Sequence, residues 1–148
     1  MYILMNFLHI AAAVVWLGGV AFMVFAMRPA AAKLLPPPLR MPFIAQALRR
    51  FFVAVWLSIG LLLLTGLAMM LSVGMKNAPI GWHLMFGIGI VMFAIFGHLY
   101  FGPFRRMKLA VAATDWSEAG RLGGQISMIA HVILALGAAA IAAVLFLA

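Results

Sequence analysis

The chain has no cysteine, and its only acidic residues are Asp115 and Glu118. The first absence excludes disulfides, iron–sulfur clusters and thiolate metal sites. The second leaves no carboxylate inside any long apolar run, which removes the usual proton relay of pumps and the two-carboxylate hydrolases. No P-loop, nucleotide fingerprint or strained serine motif occurs either. Charged residues make up only 8% of the chain, against about 25% in an ordinary soluble domain. With 68% hydrophobic residues and a mean hydropathy of +1.23, such a surface cannot be kept in water, so the chain reads as one membrane-embedded domain over residues 1–148.

Four stretches have the ~20 apolar residues that a helix needs to cross a hydrocarbon core ~30 Å thick: about 3–27, 51–73, 82–101 and 126–147. The expected fold class is all-α, an integral membrane four-helix bundle. The first span has no basic region before it and its first positive charge, Arg28, comes after it, which reads as a retained span rather than a signal peptide. Arg28, Lys33, Arg40, Arg49 and Arg50 follow the first span, and Arg105, Arg106, Lys108 and Arg121 follow the third, while Lys76 stands alone after the second. The positive-inside rule therefore predicts both longer loops in the cytoplasm and both termini outside. Basic residues so placed report topology and give no reason to expect nucleic acid as a partner.

Between the spans, "RPAAAKLLPPPLRMP" is expected to break the helix, since each proline removes a donor and crowds the preceding turn. Residues 43–50 should lead helically into the second span. In "TDWSEAGRLGG", Thr114 or Asp115 is expected to cap a short interfacial helix closed by Gly123–Gly124, with Trp116 at headgroup depth. "GMKNAPIGW" reads as a tight turn with Trp82 as an interface anchor.

Four histidines lie within the spans, and polar groups at such depths are costly and usually functional. His9 and His83 fall near the outer end, His98 and His131 near the inner end. His83 and His98, 15 residues apart, stand ~22 Å apart along one helix and about 60° apart around it. Two depth-matched pairs suit two b-type haems, His9 with His83 and His98 with His131 as axial ligands. A small residue lies one turn toward mid-membrane from each: Ala13, Gly87, Ala94 and Ala135. The same residues would also serve plain helix packing. Arg49, Arg50, Arg105 and Arg106 could meet inner propionates; Asn6, Lys76 and Trp82 are the polar groups available outside. The expected activity is electron transfer across the membrane, with a quinone and a periplasmic redox protein as partners, a membrane oxidoreductase in the broad sense.

Copper is the alternative. Met5 lies one turn from His9 on the same face, His83 is at the same level, and Met69, Met70, Met75 and Met85 fall toward the outer side. Thioether with imidazole is a suitable set for Cu(I). His83 and Met85, two residues apart, point to different helix faces.

The stretches "LHIAAAVVWLGGVAFMVFAMRPA", "LRRFFVAVWLSIGLLLLTG", "HLMFGIGIVMFAIFGHLYFGPFRRMKLAV" and "DWSEAGRLGGQI" together resemble the CopD family of bacterial inner-membrane proteins. The resemblance implies a four-helix membrane domain with metal or haem ligands at His9, His83 and His98, and a link to copper resistance or uptake. His131 is outside the matching pattern. A more distant resemblance to the HemJ-type protoporphyrinogen oxidases implies haem b and, as a further alternative, an enzyme of porphyrin metabolism. That branch places a lysine after Trp-x-His at the start of the third span, where "GWHLMFGIG" has Met85 and Gly87 and no lysine.

Overall fold

The computed structural model describes all 148 residues and contains only helices and turns. Four helices are long and apolar enough to cross a membrane: α1 (Tyr2–Leu34), α2 (Pro37–Val73), α3 (Ile80–Ala112) and α4 (Trp116–Phe146). At 1.5 Å per residue α2, with 37 residues, is ~55 Å long. Each helix therefore outruns a ~30 Å core by several turns. The excess lies at one end, which carries nine of the ten Lys and Arg side chains; both chain termini and the Gly74–Pro79 turn lie at the other. We call these the loop end and the terminal end.

The loop end is more helical than the sequence suggests. The proline-rich connector breaks the chain only at Leu35–Pro36; α1 runs to Leu34, and Pro37 already opens α2. The prolines are accommodated in two ways. Pro37 and Pro38 occupy the first turn of α2, where the missing N–H has no partner to lose. Pro29 and Pro103 instead sit beside or within single π-helical turns, Met23–Met27 and Tyr100–Phe104. The carbonyl four residues before each proline lies in or next to that turn, and widening the turn relieves the clash with the proline ring.

The α3–α4 connection is just as short. Asp115 caps α4 as expected, its carboxylate accepting the Glu118 N–H at 3.2 Å. Gly123–Gly124 does not end a short helix: α4 continues through both glycines into the span. A Cβ at Gly123 or Gly124 would meet Met107 or the Arg28 guanidinium only at ordinary contact distance, so neither glycine marks a helix stop or a forced close approach. Arg121 forms an ion pair with Glu118, donating from Nε at 2.9 Å.

Packing is tight at the loop end and loose at the terminal end. The main core holds Leu48, Phe52 and Val55 of α2, Phe96, Phe104 and Met107 of α3, and Leu122 and Ile126 of α4. Phe52 meets Phe96 and Phe104 edge-on at centroid distances of 5.1 and 4.8 Å, a favourable arrangement of aromatic quadrupoles. Toward the termini, α1 stays against α2 and α3 against α4, while few contacts join α2 to α3. The bundle thus opens there into two helix pairs. Within the second pair, the Gly81 N–H donates to the Leu147 carbonyl at 3.1 Å, and a Cβ on Gly81 would collide with the Ala143 carbonyl.

Gly81→Val should therefore force α3 and α4 apart at the terminal end. The expected cost, as for overpacking generally, is about 1–3 kcal/mol, read as a lowered Tm in detergent. Gly60→Ala, with open space at the same atom, should leave Tm unchanged.

Candidate functional site

Between the two splayed helix pairs lies a cavity of about 710 Å³. Trp16 forms part of its wall toward the packed end, stacked on Phe93 at 5.8 Å and edge-on to Phe96 at 6.2 Å. The lining is mostly apolar. Its polar side chains are few: Tyr2, Asn6, His9 and Trp16 from α1 and Trp82 from α3, and the buried Trp16 Nε1–H has no hydrogen-bond partner. Four thioethers line it as well, Met69 and Met70 from α2 and Met85 and Met92 from α3.

His9 is held in a defined orientation by α2. Thr65 is buried, and its hydroxyl donates to the Leu61 carbonyl of the preceding turn at 2.5 Å. A hydroxyl has one hydrogen and two acceptor lone pairs. With its hydrogen spent on Leu61, Thr65 Oγ1 can only accept, so His9 Nδ1, 2.8 Å away, is the donor. A neutral imidazole protonated at Nδ1 has a free lone pair at Nε2. The one side-chain hydrogen bond of the ring is that from Nδ1 to Thr65, which leaves Nε2 without a side-chain partner. Gly66 completes the seat: a Cβ there would approach His9 Cε1 to 3.2 Å and displace the ring.

The other sequence candidates are placed differently. His83 is exposed, its Nδ1 3.2 Å from the Pro79 carbonyl of its own helix start. His98 is exposed on α3 and makes no hydrogen bond. His131 is exposed on α4, with Nδ1 2.7 Å from the Ser127 carbonyl and its ring edge-on to Phe25 of α1 at 6.0 Å. None of the three lines the cavity, and no three His or acidic side chains converge on a common point. Met85 lines it and its neighbour His83 does not, as their spacing requires. Met5 is half-buried outside the lining, and Met75 is exposed in the terminal-end turn. Of the small residues, Ala13 borders the cavity, while Gly87, Ala94 and Ala135 face outward. Arg49, Arg50, Arg105 and Arg106 are all exposed at the loop end, and Lys76 is exposed in the terminal-end turn.

Thr65, Gly66 and Met92 are the functional neighbours that sequence reasoning missed. The available signal was "LLLLTGLAMM", where one hydroxyl interrupts an otherwise apolar face.

The sequence model of the family described as Copper resistance protein D matches residues 45–147, which includes Thr65, Gly66 and all four cavity methionines and leaves out His9. No curated protein and no solved structure matches the chain.

The hydrogen-bond chain predicts the tautomer directly. In protein labelled with ¹⁵N-histidine, His9 should show the Nδ1–H form alone. Thr65→Val removes the acceptor and should give a mixture of tautomers, with a loss of about 1 kcal/mol in stability; Thr65→Ser should preserve the single form.

Proposed function

The chain belongs to the copper resistance protein D family and is a multi-pass membrane protein, and from that premise we propose that the terminal-end cavity takes up Cu(I) as cargo through His9. The observation that carries the proposal is the bare Nε2 of His9 on a cavity shared with four thioethers. Imidazole nitrogen and thioether sulfur are donors that suit soft Cu(I), and the spans hold no carboxylate to favour a hard cation. Thr65 acts one step back from the ion, fixing the ring's orientation and keeping the coordinating nitrogen deprotonated. The copper set expected from sequence is thereby revised. His9 and the outer-side thioethers Met69, Met70 and Met85 stay, Met92 joins from α3, and Met5, Met75 and His83 give way.

The positive-inside rule directs the nine loop-end cations to the cytoplasm. The cavity then opens toward the outer leaflet, with both termini on that side. Copper arriving from outside would meet Asn6 and Tyr2 before His9, and the aromatic floor at Trp16 would stop it short of the packed half. This makes the cavity a capture site, and onward movement would require the loop-end core to open.

A second reading rests on cavity size. About 710 Å³ is far more room than a single ion needs and lies within the range of small-molecule sites. The residues fit haem b in part: the apolar cavity could take the group, and His9 with one of the lining thioethers could hold it. Haem there would supply one-electron chemistry, exchanged with a quinone or a periplasmic protein. The paired-histidine arrangement with His83, His98 and His131 would need those outward-facing rings to meet ligands from beyond this chain.

Anaerobic titration against a chromophoric Cu(I) chelator tests the copper reading. Wild-type protein in detergent should bind copper stoichiometrically, and His9→Ala should abolish that binding. Thr65→Val should weaken it about 10–100-fold, the usual effect of losing a partner of a metal-bound histidine, and His98→Ala should leave it unchanged. A coloured preparation with a Soret band lost in His9→Ala would select haem instead.

A further inference from the structure

His98 is the one imidazole of this chain with neither a hydrogen bond nor an aromatic neighbour. It is exposed on α3, and with Trp82 at one interface the ~20 residues that cross the core end near Phe101, so His98 lies about one turn inside. A polar ring in hydrocarbon is costly unless something bonds to it, and acyl chains offer neither donor nor acceptor.

The surface around His98 is continuous along α3. His83, Gly87, Ile90, Ala94, His98 and Phe101 are all exposed and fall within an arc of about 80° at 100° per residue. No other part of this chain reaches Gly87, where a Cβ would meet nothing within 4 Å, and the same holds at Gly97 beside the arc. Small positions alternating with Ile90 and Phe101 give a ridged surface into which a like helix can fit.

We propose that this face of α3 is the interface with a second copy of the chain, related by a two-fold axis along the membrane normal. Such an axis sets each residue against its own counterpart at the same depth. That symmetry suits His98 in particular. A neutral imidazole carries one donor and one acceptor, so His98 of one copy bonds His98 of the other without any acidic partner. Self-complementarity is what selects a second copy over a different protein, which would have to supply its own matched group at that depth. His83 meets its counterpart at the outer interface, and Gly87 and Ala94 let the two helices approach closely. The inference rests only on the membrane-spanning arrangement and is independent of what fills the cavity.

The absence of native cysteine makes the test clean. Single variants Gly87→Cys and Ala94→Cys, on the proposed face, are compared with Leu57→Cys and Leu64→Cys, exposed on α2. Native membranes are treated with a short bifunctional thiol reagent and the products separated by size. Covalent dimer is expected at Gly87→Cys and Ala94→Cys and not at the α2 positions. Equal cross-linking at all four positions, or none at the α3 positions, overturns the proposal. Single-molecule photobleaching of labelled protein in bilayers gives the second readout. His98→Leu should weaken self-association about threefold to tenfold, the range measured for hydrogen bonds between membrane helices. Unchanged or tighter self-association in His98→Leu would show that the ring meets lipid, and a monomer in the wild type would rule the interface out. Retention of stoichiometric copper binding by His98→Leu, which adds no thiol, would separate failure of this interface from failure of the cavity.

Discussion

A polar hydrogen in hydrocarbon is costly without a partner from the protein itself; the buried Trp16 Nε1–H has none, whereas the run Leu61–Thr65–His9 supplies one at each step. Leu61 offers a carbonyl to the next turn of α2, Thr65 gives that carbonyl its only hydroxyl hydrogen, and His9 is left to donate from Nδ1. Each bond fixes the direction of the next. The result is a neutral imidazole whose remaining nitrogen is an acceptor facing a nearly apolar space. Without Thr65 the ring could take either tautomer and turn its donor toward the cavity. A hydrogen bond that contributes about 1 kcal/mol to stability thereby favours the tautomer whose Nε2 lone pair is free.

The cavity exists because the helices are held together elsewhere. Extensions beyond the membrane's thickness give the loop end enough length to pack Phe52, Phe96, Phe104 and Met107 into one cluster. Relieved of the need to pack along their whole length, α1 with α2 and α3 with α4 diverge toward the termini. Trp16 closes the gap between the two regimes by stacking on Phe93. The Gly81–Leu147 hydrogen bond keeps the second pair closed, so the opening lies between pairs rather than within them.

The four membrane-crossing helices, the Asp115 cap and the collection of cations at one end were legible in the sequence, because apolar length, capping chemistry and charge placement are local signals. Helix continuity through the prolines was not. A π-helical turn depends on three-dimensional crowding around Pro29 and Pro103 and leaves no compositional mark. The depths of the histidines could be counted along each helix, but the direction each faces could not. His83 and His98 share a face, as their spacing requires, yet which way that face turns is decided by α4 packing on the opposite side of α3. Met69, Met70 and Met85 were legible as outer-side thioethers, whereas Met92 was hidden deeper in the same helix as Met85. Thr65 carried a signal, a lone hydroxyl in a run of leucines, whose meaning appears only when α1 lies alongside.

Whether His9 and the thioethers hold copper together can be read from copper K-edge absorption spectroscopy on the Cu(I)-loaded, detergent-purified protein. One imidazole nitrogen and at least one thioether sulfur are expected around the metal, with the nitrogen signal disappearing in His9→Ala. Several imidazoles and no sulfur, or a spectrum unaltered in His9→Ala, would contradict capture of the ion by this cavity.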